Sequence, residues 1–330
     1  MLAAENRAEG DFVAAPLERP EPNAGGDARV LAELREPRSS LTAWLRALRV
    51  HQWSKNALIF IPLFVGHAFG SIDNILHALA GFVLACLLAS ATYLVNDVAD
   101  LADDRLHPSK RSRPLASGEL SVASALTVAP ALMLGTLICA YLVAPAFAAS
   151  LLFYLFLTLS YSFKLKRLPL LDVFVISSLF GLRIVMGTAV IGLGYSPWLL
   201  SFSWAFFLSL ALAKRHVEVM RAHTADLEDV AGRGYRGADW PVTLSFGVGA
   251  GLVSIVIMLL YLANDAAPSG FYHAPRWLYF IPLLMTLWLM RIWLLSNRMV
   301  LHDDPVVFAL RDPASLLLGA LTAAMFFLAL

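Results

Sequence analysis

Nine apolar runs constrain this chain more than anything else in it, at about residues 56–70, 75–95, 122–141, 146–161, 172–192, 197–213, 242–263, 277–295 and 314–330. A helix that crosses a bilayer needs about 20 predominantly apolar residues, with a range of about 17–25. The chain is 59% apolar and only 15% charged. A soluble domain is about half apolar and about a quarter charged. The expected fold is therefore all-α, a polytopic membrane bundle of nine transmembrane helices. The first and fourth runs are short, and Pro62 falls inside the first, where a membrane helix tolerates a kink.

Ahead of these runs, residues 1–40 are rich in Ala, Glu, Pro, Gly and Arg and carry no hydrophobic period. They read as a disordered tail, which leaves 41–330 as the membrane domain. Leu41, Trp44, Leu45 and Leu48 then fall at helical spacing, with Arg46, Arg49 and Lys55 on other faces. That pattern predicts an amphipathic interfacial helix, with Trp44 and Trp53 at headgroup depth. The first apolar run begins after residue 55, so no cleavable signal peptide is expected. Cys86 and Cys139 both lie inside apolar runs and read as small packing residues. A net charge of +1 gives no bulk electrostatic reason to bind nucleic acid.

Basic residues set the orientation. Arg105, Lys110, Arg111 and Arg113 follow the second run, Lys164, Lys166 and Arg167 the fourth, and Lys214, Arg215, Arg221, Arg233 and Arg236 the sixth. Arg291, Arg298 and Arg311 lie at or beyond the end of the eighth, whereas the opposite loops hold only Arg276. By the positive-inside rule the even-numbered loops and the N-terminus are cytoplasmic. A soluble, charged reactant would arrive from that side.

The densest chemistry sits where the second run ends, in Asn96-Asp97-Val98-Ala99-Asp100-Leu101-Ala102-Asp103-Asp104. Asp97, Asp100 and Asp104 are spaced i, i+3 and i+7, so on a helix they share one face, and Asp103 points off it. Carboxylates so placed repel unless a cation lies between them. Hard divalent cations take oxygen ligands, and Mg²⁺ commonly joins a few carboxylates to substrate phosphates. The expectation is a Mg²⁺–diphosphate site at the membrane surface, with Asp97, Asp100 and Asp104 as both catalytic and metal-binding residues.

Three basic segments on the same side offer phosphate contacts. Lys110, Arg111 and Arg113 follow the aspartates; taken alone they also suit a topogenic loop. Lys164-Leu165-Lys166-Arg167 leads into Asp172, which reads either as a helix N-terminal charge or as a further metal or phosphate contact. Lys214, Arg215 and Glu218 end the sixth run, where they suit either an interfacial anchor or an anion site. Arg183 lies about three turns inside the fifth run, where a lone Arg costs at least about 2.5 kcal/mol unless it faces a polar cavity. Binding an anionic substrate group is the preferred role for Arg183, with an internal ion pair as the other reading.

The form Asn96-Asp97-x-x-Asp100-x-x-x-Asp104 resembles the first signature of the UbiA-type prenyltransferase superfamily, and the resemblance covers about residues 45–330. Leu48 to Asn56, Tyr93 to Val98, Lys110 to Gly118, Lys214-Arg215 with Glu218, and Ala309 to Asp312 look like its decaprenyl-phosphate phosphoribosyltransferase branch. That resemblance implies a UbiA-like fold and a Mg²⁺-dependent transfer of 5-phosphoribose from phosphoribosyl pyrophosphate (PRPP) to a polyprenyl phosphate. It implies a site facing the cytoplasm in a bacterial inner membrane, feeding arabinan or other glycan synthesis. It also brings Lys55, Asn96, Tyr161 and Lys166 into the substrate-binding set. Classical members carry a second Asp-x-x-x-Asp signature between the sixth and seventh spans, whereas Asp226-Leu227-Glu228-Asp229 here does not fit it. That departure weakens an allylic diphosphate as the electrophile. Prenyl transfer from a polyprenyl diphosphate to an aromatic or other acceptor is the alternative. A transporter would instead place its charges near the midplane, where Arg183 is the clear case. Self-association of the bundle is left open by the sequence.

Overall fold

A computed structural model describes residues 40–106, 110–230, 232–301 and 305–330; the tail expected over 1–40 lies, but for Ser40, outside them. Helix starts follow local chemistry. Ser40, Ser71, Ser121, Ser196 and Asp312 each cap a helix by accepting a hydrogen bond from the amide three residues on. Pro145, Pro197 and Pro313 stand in first turns, where a missing N–H costs nothing.

In chain order the helices are α1 (Leu41–Ala47), α2 (Ile61–Val65), α3 (Ile72–Ala99), α4 (Leu101–Leu106), α5 (Val122–Val143) and α6 (Pro145–Phe163). They continue as α7 (Leu171–Ile191), α8 (Pro197–Thr224), α9 (Trp240–Tyr261), α10 (Phe280–Asn297), α11 (Pro305–Ala309) and α12 (Pro313–Ala329). Among the described residues there is no β-strand. Seven helical stretches among the described residues are long and apolar enough to cross a membrane: α3, α5, α6, α7, α8, Gly237–Ala266 around α9, and Pro275–Asn297 around α10. The molecule is a multi-pass membrane protein.

The first and ninth expected spans take shorter forms. Residues 314–330 give the 17-residue α12. Of residues 56–70, 56–60 end an eleven-residue 3₁₀ helix, Val50–Phe60, 61–65 form the five-residue α2, and 66–70 are not helical. A 3₁₀ helix rises about 2.0 Å per residue and an α-helix about 1.5 Å, so residues 56–65 reach about 17 Å, short of the roughly 30 Å hydrocarbon core. Upstream, α1 buries Ala43 and Ala47 and leaves Leu41 and Leu45 exposed.

Small residues set how closely the helices approach. Gly187 of α7 lies against the backbone of Ile59, and a Cβ there would meet the Ile59 carbonyl oxygen at 2.2 Å. Gly247 of α9 lies under the Trp293 ring of α10; Ser209 of α8 donates to the Gly247 carbonyl (2.7 Å) and accepts from Trp293 Nε1 (3.0 Å). Such close contacts drive helix association where lipid removes the hydrophobic term. Two apolar cores result, one around Leu88, Phe147, Leu151 and Met186, the other around Phe207, Leu210, Ile292 and Trp293.

The Ile59 carbonyl is backbone and cannot rotate away, so Gly187→Ala forces the Val50–Phe60 segment off α7. The expected loss is about 1–3 kcal/mol, read as a lower melting temperature in detergent.

Candidate active site

Helix α3 carries Asn96 and Asp97 and ends at Ala99; Asp100 leaves helical geometry at φ −91°, ψ 8°, and the chain restarts as α4. The aspartates are therefore not one continuous helix face. They are gathered by cations instead. Arg113 Nη1 lies 3.2 Å from Asp97 Oδ1 and 2.5 Å from Asp104 Oδ2, bridging carboxylates that are 3% and 1% exposed. Arg49 Nη2 donates to Asp97 Oδ1 at 2.5 Å and its guanidinium lies over the Tyr93 ring. Lys110 Nζ stands 3.9 Å from Asp104, and Lys166 Nζ lies 3.2 Å from both oxygens of Asp100, which also accepts from Asn96 Nδ2. Arg49 holds a left-handed backbone, φ 50°, ψ 46°, an uncommon conformation for a side-chain-bearing residue.

A second cluster lies where the loop after α6 meets the loop after α8. Asp172 is 0% exposed and accepts from Tyr235 Oη at 2.7 Å, with Arg215 Nη2 at 2.8 Å. Arg215, itself 2% exposed, also pairs with Glu218 one turn on. Tyr235 Oη in turn accepts from the Leu170 amide at 2.7 Å. Burial, and then the adjacent Asp172 carboxylate, push the Tyr235 phenol well above its ordinary range, so it remains a donor at neutral pH.

Arg183 of α7 marks the apolar end. Its Nε donates to Asn56 Oδ1 (2.7 Å), Nη1 to the Leu179 carbonyl (2.6 Å) and Nη2 to Tyr154 Oη (3.0 Å). All three partners are neutral, so its charge has no matched anion among the described residues. Thr158 Oγ1, on the α6 turn after Tyr154, is buried without a hydrogen-bond partner among the described residues.

These groups surround one cavity of about 640 Å³. Of the residues the sequence singled out, Lys55, Asn96, Asp100, Asp104, Lys110 and Arg113 line it. So do Tyr161, Lys166, Arg183, Lys214, Arg215 and Glu218. Asp97, Arg111 and Asp172 do not: Asp97 lies behind Arg49 and Arg113, Arg111 is exposed elsewhere, and Asp172 is sealed beneath Arg215. Asp103, expected to point away, lines the wall, because the break at Asp100 re-aims α4. Arg49 and Arg233 also line it, and sequence reasoning had counted them only as surface charges. Their signal was weak: a basic residue beside an amphipathic segment, and one in a loop read for its missing aspartates.

The donor set suits a hard divalent cation. Asp100, Asp103, Asp104 and Asn96 line the cavity, and Asp104 Oδ1 is buried without a hydrogen-bond partner among the described residues. Among the described residues no three His, Cys, Asp or Glu side chains converge enough to hold an ion alone. A Mg²⁺ ion commonly draws its remaining ligands from phosphate and water.

With the geometry in place, comparisons with known proteins supply a context. The sequence pattern of the UbiA prenyltransferase family matches residues 57–311. The chain is 50% identical over 307 residues to the uncharacterized protein y4nM of Sinorhizobium fredii, covering 93% of this chain and 59% of that one. It is 36% identical over 188 residues to the decaprenyl-phosphate phosphoribosyltransferase of Corynebacterium glutamicum, covering 56% of this chain and 57% of that one. The chain thus spans a little over half the length of these two relatives. A UbiA homolog from Archaeoglobus fulgidus, solved bound to GPP and Mg²⁺, shares the fold at TM-score 0.62 and 17% identity, over 86% of this chain and 99% of that chain.

Arg113→Ala would leave Asp97 and Asp104 buried without their shared cation, a loss of about 3 kcal/mol. The variant is expected to melt earlier than wild type, and added Mg²⁺ to recover more stability in it than in wild type. A differential-scanning series with and without Mg²⁺ measures both.

Proposed function

The chain belongs to the UbiA prenyltransferase family, and on that premise we propose that it moves 5-phosphoribose from PRPP to a polyprenyl phosphate, releasing diphosphate, at the cytoplasmic face of a bacterial inner membrane. The observation that carries this reading is the cavity's charge: ten Lys and Arg side chains line it against four carboxylates. Prenyl transfer to a neutral acceptor brings one diphosphate to a site. The phosphoribosyl reaction brings a diphosphate, a sugar phosphate and a lipid phosphate together, and calls for that excess of cations. The 36% identity to a decaprenyl-phosphate phosphoribosyltransferase points the same way.

In this reading Asp100 and Asp104, with Asn96 beside them, would hold Mg²⁺, and Asp97 keeps Arg49 and Arg113 in place. Mg²⁺ bound there would offset the charge that builds on the departing diphosphate. As the anomeric C–O bond breaks, the ribose passes through an oxocarbenium-like state, which the cavity carboxylates stabilise electrostatically. The lipid phosphate is already anionic and needs no general base, only cations that orient it. Arg183 and Lys55 suit that task, since Ile176, Leu179, Phe180 and Leu210 form an apolar wall of the same cavity for an isoprenoid chain. Lys110, Lys166 and Lys214 remain for the soluble donor, nearer the basic loops.

Purified protein given radiolabelled PRPP and a polyprenyl phosphate should place label in the lipid, and Asp100→Asn or Asp104→Asn should slow this about 100-fold or more. No label in lipid, with transfer from a polyprenyl diphosphate instead, would overturn the reading.

A further inference from the structure

The loop between α8 and α9 folds back as a tight hairpin. The Val230 amide donates to the Tyr235 carbonyl at 2.9 Å, Asp229 and Arg236 form an antiparallel bridge, and Gly232 turns at φ 70°. The hairpin is docked on the loop after α6. A Cβ on Gly234 would meet the Arg167 carbonyl oxygen at 2.5 Å and Pro169 Cδ at 2.8 Å. Tyr235 is buried, and its hydroxyl joins the Leu170 amide to Asp172.

This docking puts Arg233 on the cavity wall. Its Nη1 donates to Tyr161 Oη (2.8 Å) and to the Lys166 carbonyl (3.2 Å), both neutral acceptors. Asp172 Oδ2 is 4.0 Å from Arg233 but 2.8 Å from Arg215, so the carboxylate's charge is taken chiefly by Arg215. Among the described residues, both hydrogen bonds of Arg233 leave from Nη1, and Nη2 and Nε take part in neither. A guanidinium anchored by one nitrogen still has an N–H edge for a planar, two-point phosphate contact.

We infer that Arg233 is a further phosphate-binding residue of this cavity, acting on the soluble reactant, and that Gly234, Tyr235 and Asp172 are positioning residues that dock the hairpin carrying it. The soluble reactant is assigned because Arg233 comes from a loop and meets Tyr161 and Lys166 at the end of α6, on the basic-loop side, whereas Arg183 lies about three turns into α7. The identity of that reactant as PRPP rests on the function proposed above; the phosphate contact does not.

The test compares full-length wild type with Arg233→Ala, Arg233→Lys and Tyr235→Phe in detergent. Binding of inorganic pyrophosphate and of PRPP is measured by calorimetry, and KM and kcat are measured for each substrate. Loss of a charge-assisted two-point contact should weaken pyrophosphate and PRPP binding about 10- to 100-fold in Arg233→Ala, with melting temperature and the KM for polyprenyl phosphate unchanged. Arg233→Lys should recover part of the loss, since the charge returns without the fork. Tyr235→Phe should raise the PRPP KM in the same direction by a smaller factor and spare the lipid KM. Pyrophosphate binding equal in wild type and Arg233→Ala would overturn the inference even if PRPP transfer stands. Failure of wild type to use PRPP would overturn the proposed reaction, and the pyrophosphate comparison would still decide Arg233.

Discussion

One half-buried guanidinium organises the site. Arg113 sits between Asp97 and Asp104, two carboxylates carried on separate helices and almost wholly shielded from water. In so dry a place neither anion could persist without a counter-charge, which Arg113 supplies from the cavity wall. The basic loop after α4 is therefore folded over the end of α3, and it brings Lys110 with it. Arg49 extends the arrangement to the N-terminal segment, where Ser90 accepts from Trp53 and donates to the Leu48 carbonyl. Three separate stretches of chain are thereby fixed around a single pair of aspartates.

The remaining helices hold that arrangement rigid by close approach. Gly187 admits the backbone of the 3₁₀ segment, and Gly247 admits Trp293. The cavity lies where the two apolar cores meet, with Tyr154 and Leu179 from one side and Phe180 and Leu210 from the other. Apolar packing thus makes the frame, and the basic loops supply the charge. A loop that sets topology and a loop that binds phosphate call for the same residues, so sequence alone does not separate the two roles.

That overlap explains what could be read from the sequence. Period and composition were enough for seven of the nine expected spans, because a bilayer accepts few other structures, but not for the first and the ninth. The aspartate stretch stood out because charge beside lipid is costly. Helical spacing misjudged Asp103, since spacing cannot register the break at Asp100 that turns α4. It left Asp172 open between a helix N-terminal charge and a ligand, because its partners, Tyr235 and Arg215, are 63 and 43 residues away and seal it off. Arg49 and Arg233 went unnoticed because nothing local distinguishes them from topogenic charges; only the fold brings them to the cavity. The 3₁₀ stretch was equally silent, as Val50–Phe60 carries no pattern that separates it from an ordinary apolar helix.

The neutral surroundings of Arg183 have a kinetic consequence. A cavity with six more cations than carboxylates, one of them buried without a partner anion, is a potential well for polyanions. Such a field speeds capture. It also slows escape, because a product that leaves with its charge intact must climb out of the same well. A phosphate ester destined for the bilayer can slide away laterally along its own hydrocarbon tail. A free inorganic anion has no such path and must cross the whole gradient towards water. Under the proposed phosphoribosyl transfer, release of diphosphate is the step this field opposes, and added salt is expected to ease it.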